Sequence, residues 1–290
     1  MKHKWIKIIF FVAAYGFLFY KISSFNFNNI KSLINWYSIT ALLLMPLNWY
    51  LEIIKWQALT KITCCKLIFH KAYKSVIYGL IASIPTPNRV GDYYGRTWIT
   101  TDKNKKNQLF ITSLLSSFLQ TSITFIAGII SYFWLAKTIN IPYYIIAIST
   151  LIIFFTIILI LKIKKKYFIQ ITNNISKNFH YQNLVAIILL AIFRYIIFIV
   201  QAYLLFLATG IHTTFTQTFN GLSLIYFITL FIPSFFWAEL GIRGSLASII
   251  FPMVGINEKA SIIVISILWL INIGLPVIIG SLFLNKKEER

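Results

Sequence analysis

Four stretches of this chain, residues 107–136, 138–161, 195–238 and 260–285, contain no Asp, Glu, Lys or Arg. Each exceeds the roughly 20 residues that carry a helix across the hydrocarbon of a bilayer, and the third is long enough to cross twice. In hydrocarbon a spanning segment must satisfy its own backbone N–H and C=O groups, which confines such runs to helices. The rest of the chain cannot compensate with a soluble body. With 58% hydrophobic and 12% charged residues it lacks the roughly 25% of charge that a water-facing surface needs. No charged loop approaches the roughly 50 residues of a minimal domain. Residues 1–290 therefore read as one integral membrane domain of the all-α polytopic class.

Helices are expected near 5–21, 38–56, 108–135, 142–161, 184–207, 216–235 and 260–284, with 237–256 as an eighth. Met1-Lys2-His3-Lys4 ahead of the apolar run Trp5 to Tyr20 has the look of a signal peptide, but no small-residue cleavage site follows, so it reads as an uncleaved first helix. With the N-terminus inside, 21 of the 27 basic residues fall on the cytoplasmic side and four outside (Lys21, Lys31, Lys137, Lys259), while Arg194 and Arg243 lie in the membrane. That asymmetry orients a multi-pass protein in a bacterial inner membrane, N-terminus cytoplasmic. Eight crossings rather than seven bring the basic C-terminus to the same side. In a soluble chain the net charge of +20 would suggest nucleic acid; here its partners are anionic lipid head groups, at about 1 kcal/mol per basic residue near the surface. Residues 57–75 and 162–183 mix lysines with apolar side chains and read as helices lying on the cytoplasmic leaflet or as solvated loops.

Two polar, helix-breaking segments interrupt this hydrophobic background. The first is Ile84-Pro85-Thr86-Pro87-Asn88-Arg89-Val90-Gly91-Asp92-Tyr93-Tyr94-Gly95-Arg96, and the second is Ile232-Pro233-Ser234-Phe235-Phe236-Trp237-Ala238-Glu239-Leu240-Gly241-Ile242-Arg243-Gly244. Such residues are costly in hydrocarbon unless they line a cavity or a protected interface. Residues 76–88 are too short to cross and carry charge of the same side on both flanks, so they read as a re-entrant half-helix that turns at Pro85-Thr86-Pro87. Paired breaks in corresponding places of two halves are the mark of an inverted repeat with its site at the midplane.

The chain uses 22 lysines and five arginines, yet four of the five arginines are Arg89, Arg96, Arg194 and Arg243. A guanidinium binds phosphate or carboxylate through a planar fork that an ammonium lacks. Arg89, Arg96 and Arg243 are accordingly candidates for holding an anionic head group. Arg89 with Asp92 and Glu239 with Arg243 can equally be pairs that staple the breaks, and Glu52 shares a helix face with Lys55 and Asn48. Asp92, Glu239, Arg194 and Glu52 are thus candidate gating or charge-pair residues, and Pro85, Pro87, Gly91, Gly95, Pro233, Gly241 and Gly244 shape the motif backbone.

No nucleophile elbow, phosphate loop or acid pair at motif spacing points to an enzyme. His3, His70, His180 and His212 are scattered without ligand spacing and the adjacent Cys64 and Cys65 suggest no disulfide framework, so neither metal nor cofactor is expected. Trp5, Trp36, Trp49 and Trp56 are placed as interfacial belts.

The two broken motifs resemble those of the transmembrane region of lysylphosphatidylglycerol synthases and the stand-alone flippase-like proteins related to it. Pro87-Asn88-Arg89-Val90-Gly91-Asp92 looks like the first motif of that family. Ala238-Glu239-Leu240-Gly241-Ile242-Arg243-Gly244 keeps a glycine and the arginine of the second, with Glu239 in place of a glycine and Gly244 in place of the usual acid. The resemblance implies lipid translocation or a related membrane role. The soluble aminoacyl-transfer domain of the full-length synthases has no counterpart here, so lipid aminoacylation is not implied. A flippase or transporter for an anionic or zwitterionic phospholipid is the leading expectation. A membrane scaffold docking a separately encoded lipid-modifying enzyme and an integral-membrane transferase are the alternatives. Homo-oligomerisation stays open.

Overall fold

The computed structural model describes residues 34–63, 65–138 and 181–284. The expected helices at 5–21 and 142–161, most of the basic segment 162–183, and His3, His180 and Cys64 lie outside them. The described residues are helical, without strands, and four helices are long and apolar enough to cross a membrane.

Two halves repeat one order of elements. In the first, α1 (Trp36–Thr63, 28 residues) is followed by α2 (Phe69–Ser83, 15 residues), a break, a one-turn 3-10 segment (Pro87–Arg89), the short helix α3 (Gly91–Gly95), a second 3-10 segment (Arg96–Ile99) and the long α4 (Lys103–Thr138). In the second, α5 (Tyr181–Ala208, 28 residues) leads to α6 (Phe215–Thr229, 15 residues), another break, α7 (Phe236–Met253) and α8 (Glu258–Trp269). A π-helical turn at Leu270–Gly274 joins α8 to α9 (Leu275–Leu284).

The corresponding helices α1 and α5 pack antiparallel. Asn35 Nδ2 donates to Ala208 O, Gln201 Nε2 donates to Ala41 O, Arg194 pairs with Asn48 and Glu52, and Leu59 and Ile62 pack on Ile187. An antiparallel pair of equivalent helices is what inverted repeats produce. The main core lies between α1, α4, α5, α6, α7 and α8, where Phe206 and Phe251 meet edge to face at 4.9 Å.

Several boundaries differ from the sequence reading. Residues 57–63 extend α1, and an independent surface helix over 57–75 does not form; a loop follows and α2 starts at Phe69. Lys61, Lys66 and Lys71 are exposed while Leu59, Ile62 and Leu67 are buried, so the segment keeps its mixed character. The helix expected over 216–235 stops at Thr229, leaving 15 residues, about 22 Å of rise, short of the roughly 30 Å hydrocarbon thickness. Pro233 lies in the non-helical link to α7. The N-terminus of α6 carries a reciprocal capping box in which Thr214 Oγ1 accepts from Gln217 N at 3.2 Å. The turn at Pro85 to Pro87 falls where proline placed it, because α2 ends at Ser83.

Candidate functional site

The first break folds back on α2 because glycine lets backbones touch. A Cβ on Gly91 would stand 1.8 Å from Ala82 O, and one on Gly95 would stand 2.3 Å from Tyr78 O. Small residues of this kind let helices approach closely in membranes. Asn88 and Arg89 then both adopt left-handed backbone, φ 49° and 57°, a conformation costing roughly 1–2 kcal/mol for a side-chain-bearing residue and tolerated best by Asn and Asp. The cost is offset by a two-way clasp on the second break: Asn88 N donates to Ser234 O at 2.8 Å, and Ser234 N donates to Asn88 Oδ1 at 2.7 Å. The two polar motifs, 146 residues apart at this clasp, meet in space.

Two charge clusters flank it. In the first, Glu52 is buried in α1 and shared by three cations. Lys55 Nζ lies 2.7 Å from its Oε2, Arg96 Nη2 donates to its Oε1 at 2.9 Å, and Arg194 Nη1 donates to its Oε2. Arg194 also donates from Nε to Asn48 Oδ1 at 2.9 Å and from Nη1 to Gln120 Oε1 at 3.3 Å. Arg96 donates from Nε to both oxygens of Asp92, one turn earlier, at 3.1 Å. Its guanidinium lies 4.7 Å from the Trp56 ring centroid, and the indole Nε1 donates to Ser75 Oγ. In the second cluster, Glu239 in the first turn of α7 accepts from Arg89 Nη2 at 2.9 Å and pairs with Arg243 one turn later. Arg243 lies over Tyr226, 4.6 Å from its ring centroid.

Arg89 therefore pairs with Glu239 across the clasp, correcting the expected Arg89–Asp92 pair; the left-handed turn carries it away, and Asp92 is left to Arg96. The Glu239–Arg243 and Glu52–Lys55 pairs form as spaced, but each belongs to a larger network. Trp56 is fully buried beneath Arg96 instead of lying in an interfacial belt, because its ring face and N–H both find partners there. Trp36 is 75% exposed, as a belt residue would be.

Both clusters line one cavity of about 530 Å³. Arg89, Arg96, Arg194, Arg243, Lys55, Glu52, Asp92 and Glu239 all contribute to its wall. Five cations thus face three carboxylates. Pro85, Pro87 and Pro233 sit exposed at the breaks, while Gly241 and Gly244 are buried inside α7. Gln120, Tyr226, Asn88 and Asn272 also line the wall. Sequence reasoning missed these four, although a side-chain amide inside an uncharged membrane run is itself a signal for Gln120 and Asn272.

A net-positive space lined by guanidinium forks can hold phosphate or carboxylate oxygens. The family model described as "Lysylphosphatidylglycerol synthase TM region" matches residues 4–280. No curated protein matches the chain.

Proposed function

The chain belongs to the lysylphosphatidylglycerol synthase TM region family, a multi-pass membrane family tied to lipid metabolism or transport, and on that premise we propose that it translocates a phospholipid. The head group of an anionic or zwitterionic lipid enters the cavity between the two breaks and is held there by Arg89, Arg96 and Arg243. The observation that carries this reading is the cavity itself, where two half-structures each supply charged residues to one space. Translocation breaks no covalent bond, so it needs only a polar path, a way to open it and compensation for the charge. Asp92 and Glu239 suit the gate: each holds an arginine that a phosphate could draw away, so head-group binding and release of an internal pair exchange one charge-assisted contact for another. The scaffold reading leaves the cavity without a use.

Reconstitution tests it. Vesicles carrying the purified protein and an acyl-labelled phosphatidylglycerol should expose inner-leaflet label to an external quencher faster than protein-free vesicles. Arg243→Lys keeps the charge and loses the fork, so the rate should fall by about tenfold at unchanged thermal stability. An unchanged rate would remove Arg243 from the site.

A further inference from the structure

We propose that the cavity selects a head group bearing two negative charges, of the phosphate monoester type, over a singly charged phosphodiester or a zwitterion; this rests on the translocation reading and names its substrate class. The argument is one of charge and hydrogen-bond balance, drawn separately for each cluster. Around Glu52 and Asp92 stand Lys55, Arg96 and Arg194, leaving one positive charge in excess. Around Glu239 stand Arg89 and Arg243, again leaving one. The excess is therefore divided, one charge on each side of the clasp, and both sides open on the same cavity.

Unsatisfied donors also stand in both clusters. Arg96 Nη1 in the first cluster, and Arg89 Nε and Arg243 Nε in the second, are buried without an acceptor among the described residues. Buried guanidinium N–H groups are ordinarily satisfied, and doubly ionised phosphate offers three acceptor oxygens. One group can face both clusters, because residues of both line the same cavity.

A phosphodiester would leave one of the two excess charges uncompensated. At about 6 Å and an effective dielectric of about 20, one further unit charge changes affinity by more than about tenfold. A phosphate monoester carries about −1.5 to −2 at pH 7 and cancels the excess.

The test compares lipids that differ in charge and little else. The purified full-length protein, in nanodiscs of phosphatidylcholine, is offered phosphatidic acid, phosphatidylmethanol with the same chains, or cardiolipin, and retained lipid is counted by native mass spectrometry. Phosphatidic acid should be retained at least about tenfold over phosphatidylmethanol, which differs by one methyl and one charge. Cardiolipin matching phosphatidic acid would put the two charges on two phosphodiesters and overturn the phosphate-monoester assignment. Inorganic phosphate displacing the retained lipid at low millimolar concentration would identify the group as phosphate from a soluble source as well as from lipid. Arg243→Gln, which removes one excess charge, should shrink the preference towards unity, and the wild-type comparison stands even if that variant fails to fold. Equal retention of phosphatidic acid and phosphatidylmethanol overturns the inference. Translocation bears separately: retention without movement contradicts the flippase reading alone, and equal movement of both lipids contradicts the selectivity alone.

Discussion

Glu52 holds Lys55, Arg96 and Arg194, so its removal takes the carboxylate from Lys55 and Arg194 and leaves Arg96 with Asp92 alone. Breaking a buried ion pair by deleting one partner costs about 3–5 kcal/mol, because the partner stays buried and uncompensated. Glu52→Gln should therefore lower the thermal midpoint of the detergent-solubilised protein far more than Asp102→Asn, whose exposed partner Lys105 lies 3.9 Å away and contributes about 0–1 kcal/mol. Combining Glu52→Gln with Arg194→Gln should recover part of the loss, since one stranded charge leaves with it. Much at this scale was legible from composition. Four arginines stand out in a lysine-rich chain, and all four line the cavity. Their partners were not legible. The i,i+4 pairs Asp92–Arg96 and Glu239–Arg243 follow helical spacing, but Arg89 is turned by two left-handed residues, Asn88 and itself. Nothing in the order Asn-Arg-Val-Gly-Asp announces that geometry.

The broken elements depend on close approach more than on charge. Gly91→Ala would drive a Cβ to 1.8 Å from Ala82 O, backbone on backbone, where no rotamer change relieves the clash. Overpacking of this kind costs about 1–3 kcal/mol or more. Gly210→Ala, at φ +76° with nothing within 4 Å, meets only backbone strain of roughly 1 kcal/mol. Thermal melts of the two variants should rank Gly91→Ala well below Gly210→Ala, and equal midpoints would contradict the tight seating of α3 on α2. Proline made the breaks readable, because it forbids helical continuation at the preceding residue. The shortness of α6 was not readable: residues 216–235 are uniformly uncharged, and hydropathy cannot mark a helix that stops short inside an apolar run. The π-helical turn at Leu270–Gly274, which brings Asn272 and Ile273 to the cavity wall, left no trace in the sequence pattern either.

At the scale of the whole molecule, each half runs a long helix and a 15-residue helix into a break, and the two join through Asn88, Ser234, Arg89 and Glu239. The sequence held a faint form of this, two Ile-Pro motifs each followed by an acid, a glycine and an arginine. The equal lengths of α2 and α6, 15 residues each, were hidden beneath uniform hydrophobicity. If movement requires the breaks to part, a disulfide between Asn88→Cys and Ser234→Cys, made in a background without Cys64 and Cys65, should stop lipid transfer, and reductant should restore it. The central claim is that both halves build one lipid path, and its most direct measurement is the transfer rate in reconstituted vesicles of two variants, Arg194→Gln beside Glu52 and Arg243→Gln beside Glu239. A single shared path predicts that either substitution slows transfer by about tenfold or more while the protein remains folded; full transfer after either one alone would contradict it.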